Sequence, residues 1–195
     1  MRGIILLGML AIGWPALAEE PPADPPISWM VGDWYVGSVK DGCVSGITIR
    51  GTRMIIAANE QDSNQRLIFT NERWSTAAGK TYDLRLAIDQ RTFDTTAVGF
   101  EDGFGFQVDG DITGLISAGN RIAVLRGKDV VEDIDLTGSA DAMEKLRLCT
   151  GILRNRIAYA KQKADENAKK AAAEKAERDR VARIKPDPFA EPSPE

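Results

Sequence analysis

Two cysteines and no histidine limit the chemistry open to this 195-residue chain. Without an imidazole there is no Ser-His-Asp triad, no His-ligated zinc and no general base of the commonest kind at neutral pH. Cys43 and Cys149 are too few and too far apart in sequence for a four-ligand structural zinc site. Carboxylates, hydroxyls and aromatic rings remain. Acidic residues come close together at Glu101-Asp102, at Asp109 and Asp111, and at Glu132-Asp133. Such pairs can serve glycoside hydrolysis when they face each other across about 5–10 Å, or calcium when further oxygens join them. Asp109-Gly110-Asp111 opens like a calcium loop, but no acidic residue stands where the loop would close. Solvated turn charges are the plainer reading. Ser38, Ser45 and Ser139 lack an activating His. Gly103-Phe104-Gly105 lacks the third glycine and the following helix of a phosphate loop. The sequence therefore assigns no catalytic, cofactor-binding or metal-binding residue, and no cofactor.

Binding chemistry has more to work with. Trp29, Trp34, Tyr35 and Trp74 are candidate ligand or partner contacts, weighed against a role in the core or in covering a sheet edge. Lys169 and Lys170 are candidate partner contacts on a strongly charged segment. Charge is distributed unevenly. From Ile27 to Gly151 the chain has 13 basic and 18 acidic residues, whereas from Ile152 to Lys185 it has 11 basic and 5 acidic. An acidic body with a basic arm follows, and residues 186–195 carry only acids. The overall net charge of −4 gives no case for nucleic acid as a partner.

The elements that must position these residues read mainly as strands. Trp34-Tyr35-Val36, Val44–Arg50, Arg53–Ala58, Arg66–Asn71, Tyr82–Ile88, Thr92–Phe100, Phe104–Val108, Arg121–Leu125 and Lys128–Leu136 are short apolar or alternating runs between turn signals. Tyr82, Leu84, Leu86 and Ile88 alternate with Asp83 and Arg85 most cleanly. A turn or two of helix is expected over Asp111–Gly119, capped by Asp111. The fold class that follows is mainly β: a small antiparallel sandwich or partly closed barrel. After Leu136 the period changes. Ala142, Leu146, Cys149, Leu153, Ile157 and Ala160 form one apolar stripe, with Ser139 as N-cap and Gly151 as a candidate break between two helices. That gives a C-terminal amphipathic helix. From Lys161 onward the apolar side chains are alanines until Val181, so a projecting charged helix is expected. Leu or Ile at coiled-coil core positions is missing there.

The chain opens as an exported protein does. Arg2 is followed by the apolar run Ile4–Trp14 and by Ala16-Leu17-Ala18, which fits a signal peptide cleaved after Ala18. The run is shorter than the ~20 residues that span a bilayer. The expected division is signal peptide 1–18, Pro-rich linker 19–28, β-rich domain with closing helix 29–151, charged arm 152–185 and disordered acidic tip 186–195. The expected compartment is periplasmic or extracellular. In such a compartment a lone cysteine pair forms a disulfide, here Cys43 with Cys149.

Gly32-Asp33-Trp34-Tyr35-Val36, Cys43 and the closing Leu136–Leu146 run resemble the invasion-associated locus B type of bacterial periplasmic protein. The likeness covers roughly residues 29 to 149. It implies a small β-rich exported domain and brings no catalytic residue with it. Gly37-Ser38 stands where that family carries a cysteine, and the basic arm is an addition to its pattern. The function expected is a non-enzymatic binding or envelope-assembly factor acting through protein–protein contact. No insertion into a membrane is expected after removal of the signal. The alternatives are a small-ligand-binding β-sandwich and, behind it, a carboxylate-dependent hydrolase.

Overall fold

A computed structural model describes residues 25–40, 42–59, 65–108 and 112–183. The expected signal peptide, most of the Pro-rich linker, the Asp109–Asp111 triplet and the acidic segment 186–195 lie outside the described residues. Ten strands alternate with turns: β1 (Ser28–Val31), β2 (Trp34–Val39), β3 (Gly42–Ile49), β4 (Thr52–Asn59), β5 (Gln65–Thr70), β6 (Thr81–Ile88), β7 (Arg91–Phe100), β8 (Gly103–Val108), β9 (Arg121–Arg126) and β10 (Asp129–Asp135). A short helix, α1 (Ile112–Ala118), precedes β9, and α2 (Ser139–Arg183) closes the described chain.

All ten strands join one antiparallel sheet in the order β1-β2-β3-β4-β5-β8-β7-β6-β9-β10. The first five form a meander of hairpins. Arg50 (φ 52°) and Gly51 (φ 87°) both take left-handed backbone at the β3–β4 turn, the twist that a two-residue hairpin needs. The loop 71–80 then carries the chain past β8 and β7 to begin β6. Thr76 pins this loop: its hydroxyl has the Phe100 and Gly103 carbonyls as acceptors for its one hydrogen and accepts the Gly103 N–H. Asp89, at the β6–β7 turn, accepts the N–H groups of Asn120 and Arg121 at 3.1 Å, fixing the entry to β9.

The sheet curls without closing into a barrel. Its inner face holds one core that includes Met54, Ile56, Leu67, Phe69, Phe104, Phe106, Leu86, Ile122 and Ile134. The alternation of β6 is as the sequence reads it, with Leu84, Leu86 and Ile88 buried and Asp83 and Arg85 exposed. Phe69, Phe104 and Phe106 stack with centroids 5.6–6.3 Å apart, and Trp74 continues the stack on Phe104 at 5.4 Å.

α2 lies over the inner face of β1 to β4 and against α1. Ala142, Met143, Leu146 and Cys149 are buried there. Cys149 is bonded to Cys43 of β3, with Cα atoms 6.1 Å apart and a sequence separation of 106. Three details depart from the sequence reading. Ser139 does not cap the helix with its hydroxyl; that hydroxyl donates to the Ile116 carbonyl at 2.8 Å and ties α2 to α1. Gly151 does not split the helix, which runs on for 45 residues. The apolar stripe outlasts the surface that could bury it: Leu153 is half-buried, and Ile157 is 51% exposed because the sheet ends before it.

Candidate functional surface

The four aromatic candidates do not form one group. Trp29 and Trp34 are on the inner face of β1 and β2. Trp34 is fully buried and donates from Nε1 to the Thr137 carbonyl at 3.0 Å, which fixes the start of α2. Trp29 is half-buried against the same core. Tyr35 is on the opposite, outer face and is 42% exposed. Trp74 sits in the loop 71–80, on the Phe104 ring. Lys169 and Lys170 are exposed on α2.

The described acidic pairs are also separated. Glu101 and Asp102 form the exposed β7–β8 turn. Glu132 and Asp133 follow an irregularity in the β9–β10 register between Val130 and Glu132 and point to opposite faces. Asp133 pairs with the guanidinium of Arg121; the hydrogen bond, then the charge, hold that guanidinium more firmly protonated than usual. Glu132 turns inward and accepts the Thr52 hydroxyl at 2.5 Å. Thr52 in turn accepts from Asn71 Nδ2 at 2.8 Å. This Glu132–Thr52–Asn71 chain joins β10 to the β3–β4 turn and to the end of β5, bridging strands far apart in the sheet order. Sequence reasoning missed it. The signal was present: Glu132 has the same parity as Ile134 and Leu136, both buried. At the exit of β10, Thr137 donates to Asp135 Oδ1 from its hydroxyl (2.5 Å) and its N–H (2.7 Å). These two bonds, the hydroxyl first, hold the Asp135 carboxyl below its ordinary value.

An apolar strip crosses the outer face of the sheet from β2 to β7. Tyr35, Gly46, Ile55, Ile68, Gly105 and Val98 stand at successive paired positions of β2, β3, β4, β5, β8 and β7. The Tyr35 ring lies over Gly37, and at Gly103 the Phe69 carbonyl and then the Phe100 ring crowd the backbone, leaving no room for a Cβ at either glycine. The rings thus lie along the sheet, and the glycines keep the strip low. A groove of about 320 Å³ opens in it, lined by Tyr35, Val44, Gly46, Thr48, Arg53 and Ile55. A second depression shares Thr48 and Arg53 and adds Arg73, Glu72 and Asp102. Arg53 and Arg66 are exposed and form no ion pair among the described residues.

The arm is the other exposed feature. Beyond Arg156, whose guanidinium donates to the Pro25 carbonyl at 3.2 Å, every α2 residue to Arg183 is exposed. Among the described residues of the arm, Glu177 pairs with Arg180 at 2.8 Å, and Gln162 bonds Glu166 at 2.9 Å. No described helix is long and apolar enough to cross a membrane, and no cluster of three or more described Cys, Asp or Glu side chains could hold a metal. No family model, curated protein or solved structure matches this chain.

Proposed function

We propose that this protein is a non-enzymatic binding or envelope-assembly factor that acts through protein–protein contact in the periplasm or outside the cell, after loss of a signal peptide ending at Ala18. The observation that carries the reading is the arm. From Ile157 to Arg183 the helix contributes nothing to the core, extends for about 40 Å at 1.5 Å per residue, and is rich in Lys and Arg beside an acidic body. A helix with no apolar face to bury earns its place by reaching something. Its charge suits an acidic partner surface, with Lys169 and Lys170 at its middle. It lacks the Trp, Phe and Leu that would insert it among lipids. A coiled-coil mode would have to rest on alanine contacts and closer helix approach than Leu-based pairs allow.

The likeness of the opening and closing segments to the invasion-associated locus B type agrees with an exported β domain. The disulfide is compatible with an oxidising compartment. The small-ligand alternative would place its site near the Trp residues, where Trp34 is sealed in the core.

The test compares capture by the mature chain and by a chain truncated after Ala158, which keeps Leu153 and the Arg156–Pro25 bond. Both are used as bait in a periplasmic extract. The expected result is a partner held by the full chain and lost on truncation, with the truncated domain still folded by circular dichroism. Retention of the same partner by the truncated domain would move the docking function to the sheet.

A further inference from the structure

We infer that the outer-face groove at Tyr35, Gly46, Ile55 and Arg53 receives the acidic, Phe189-bearing segment of a second copy of this chain. The inference goes beyond the arm's basic helix, because it concerns what the arm carries and where that can land.

The groove has two chemical demands. Its floor and walls are apolar: Ile55 and Val44 are half-buried, Gly46 supplies depth, and Tyr35 forms a side. Such a surface binds by excluding water from an apolar side chain, at roughly 25 cal/mol per Å² covered. At the rim, Arg53 presents a guanidinium without an ion pair among the described residues; Arg66 stands outside the lining, on the neighbouring strand opposite Ala57. Glu72 and Asp102 face the adjoining depression beside Arg73 and do not line this groove. The fitting occupant therefore has an apolar anchor flanked by carboxylates. Asp187-Pro188-Phe189-Ala190-Glu191 has that composition, with an aromatic anchor, within ten residues that hold three acids, four prolines and no base. Prolines lower the entropy lost when such a segment is held extended.

Geometry decides between the chain's own segment and a neighbour's. α2 passes along β2 from Trp34 to the disulfide and leaves the body beside the β2–β3 turn. Thr48 and Arg53 are at the opposite end of their strands and on the opposite face. Arg183 is about 40 Å beyond Ile157 along the helix. Phe189 lies six residues further on, at most about 21 Å away even when fully extended. It cannot return to its own groove. A second copy's groove is free of that limit, and the contact it makes is heterologous, groove to arm.

The experiment follows sedimentation velocity of the mature chain from micromolar to near-millimolar concentration, together with binding of a synthetic peptide of residues 184–195 to the chain truncated after Arg183. The expected result is concentration-dependent association of the mature chain. It is weakened about tenfold or more by Phe189→Ala and by Arg53→Glu, and partly restored when Arg53→Glu is paired with Glu191→Lys. The peptide should perturb the NMR signals of Tyr35 and Ile55. Peptide binding to the unaltered groove keeps the test independent of whether Arg53→Glu folds. A mature chain that stays monomeric throughout, with no peptide binding, overturns the inference. So does association that survives Phe189→Ala, since the arms themselves would then be the contact. Neither outcome bears on capture of a different partner by the arm, which the truncation after Ala158 reads separately.

Discussion

At the scale of single residues, the two buried hydroxyls of β3 and β4 have opposite consequences. Ser45 is fully buried between its strand neighbours Val36 and Ile56, and its Oγ has no hydrogen-bond partner. Thr52 is equally buried, but its hydroxyl donates to Glu132 and accepts from Asn71. Leaving a buried polar group unsatisfied costs about 1–3 kcal/mol. Ser45→Ala removes such a group and is expected to raise stability by about 1 kcal/mol. Thr52→Val instead leaves Glu132 and Asn71 without their shared partner and is expected to cost about 2 kcal/mol or more. Urea denaturation of the two variants should move the midpoint in opposite directions. Asp135 gives a pH signature at the same scale. Its folded-state pKa is lowered from 3.8 by the two Thr137 bonds. The unfolded chain therefore takes up this proton first as pH falls. The stabilisation is complete above about 3.8 and is lost as the pH drops through the lower folded value. Asp135→Asn should narrow its stability gap to the native chain as pH is lowered toward 3; a gap that widens would contradict the assignment.

At the scale of elements, α2 is one helix with two regimes. Leu146 is 1% exposed on the sheet, whereas Ile157 continues the same stripe into solvent. Leu146→Ala is expected to cost about 2–5 kcal/mol, and Ile157→Ala less than about 0.5 kcal/mol, both read from thermal or urea unfolding. The contrast also marks how far sequence could be read. Strand alternation was legible because one face of each strand meets a core: Leu84, Leu86 and Ile88 cannot be turned outward without exposing all three. The disulfide was legible because two cysteines allow one pairing. The helix stripe was legible, but its useful length was not, since that depends on where β2 and β3 end beneath it. The β1 strand escaped notice because Ser28–Val31 is four residues long and gains its place by pairing with β2. The inward turn of Glu132 was legible from its parity with Ile134 and Leu136; its partners Thr52 and Asn71 were not, because the fold alone brings those distant segments to β10. The opposite facing of Trp34 and Tyr35 was legible too, because neighbours in a strand face opposite sides of the sheet; the place of Trp74 was not, because it depends on how the loop 71–80 docks on Phe104.

At the scale of the whole molecule, an acidic body joined to a basic arm raises the question of whether the arm folds back. Coulomb attraction between exposed charges is weak and is screened within about 8 Å at physiological salt. Folding back would require breaking α2, and the helix runs unbroken from its buried anchor at Ala142 to Arg183. Gly151, the weakest point for helix propensity at about 1 kcal/mol relative to Ala, is within two residues of the disulfide that fixes Cys149 to β3. The anchor thus reinforces the helix where it is most prone to bend. An extended molecule is the consequence. In dilute solution, where association between copies is absent, a chain ending at Arg183 should exceed one ending at Ala158 in maximum dimension by about 37 Å, at 1.5 Å for each added residue. X-ray scattering gives that dimension directly. Raising salt to about 1 M shortens the screening length to about 3 Å and should leave the difference unchanged, because backbone hydrogen bonds rather than charge hold the arm out. A maximum dimension that grows with salt would mean that the arm had been drawn onto the acidic body at low salt, and the rigid-reach account of α2 would fail.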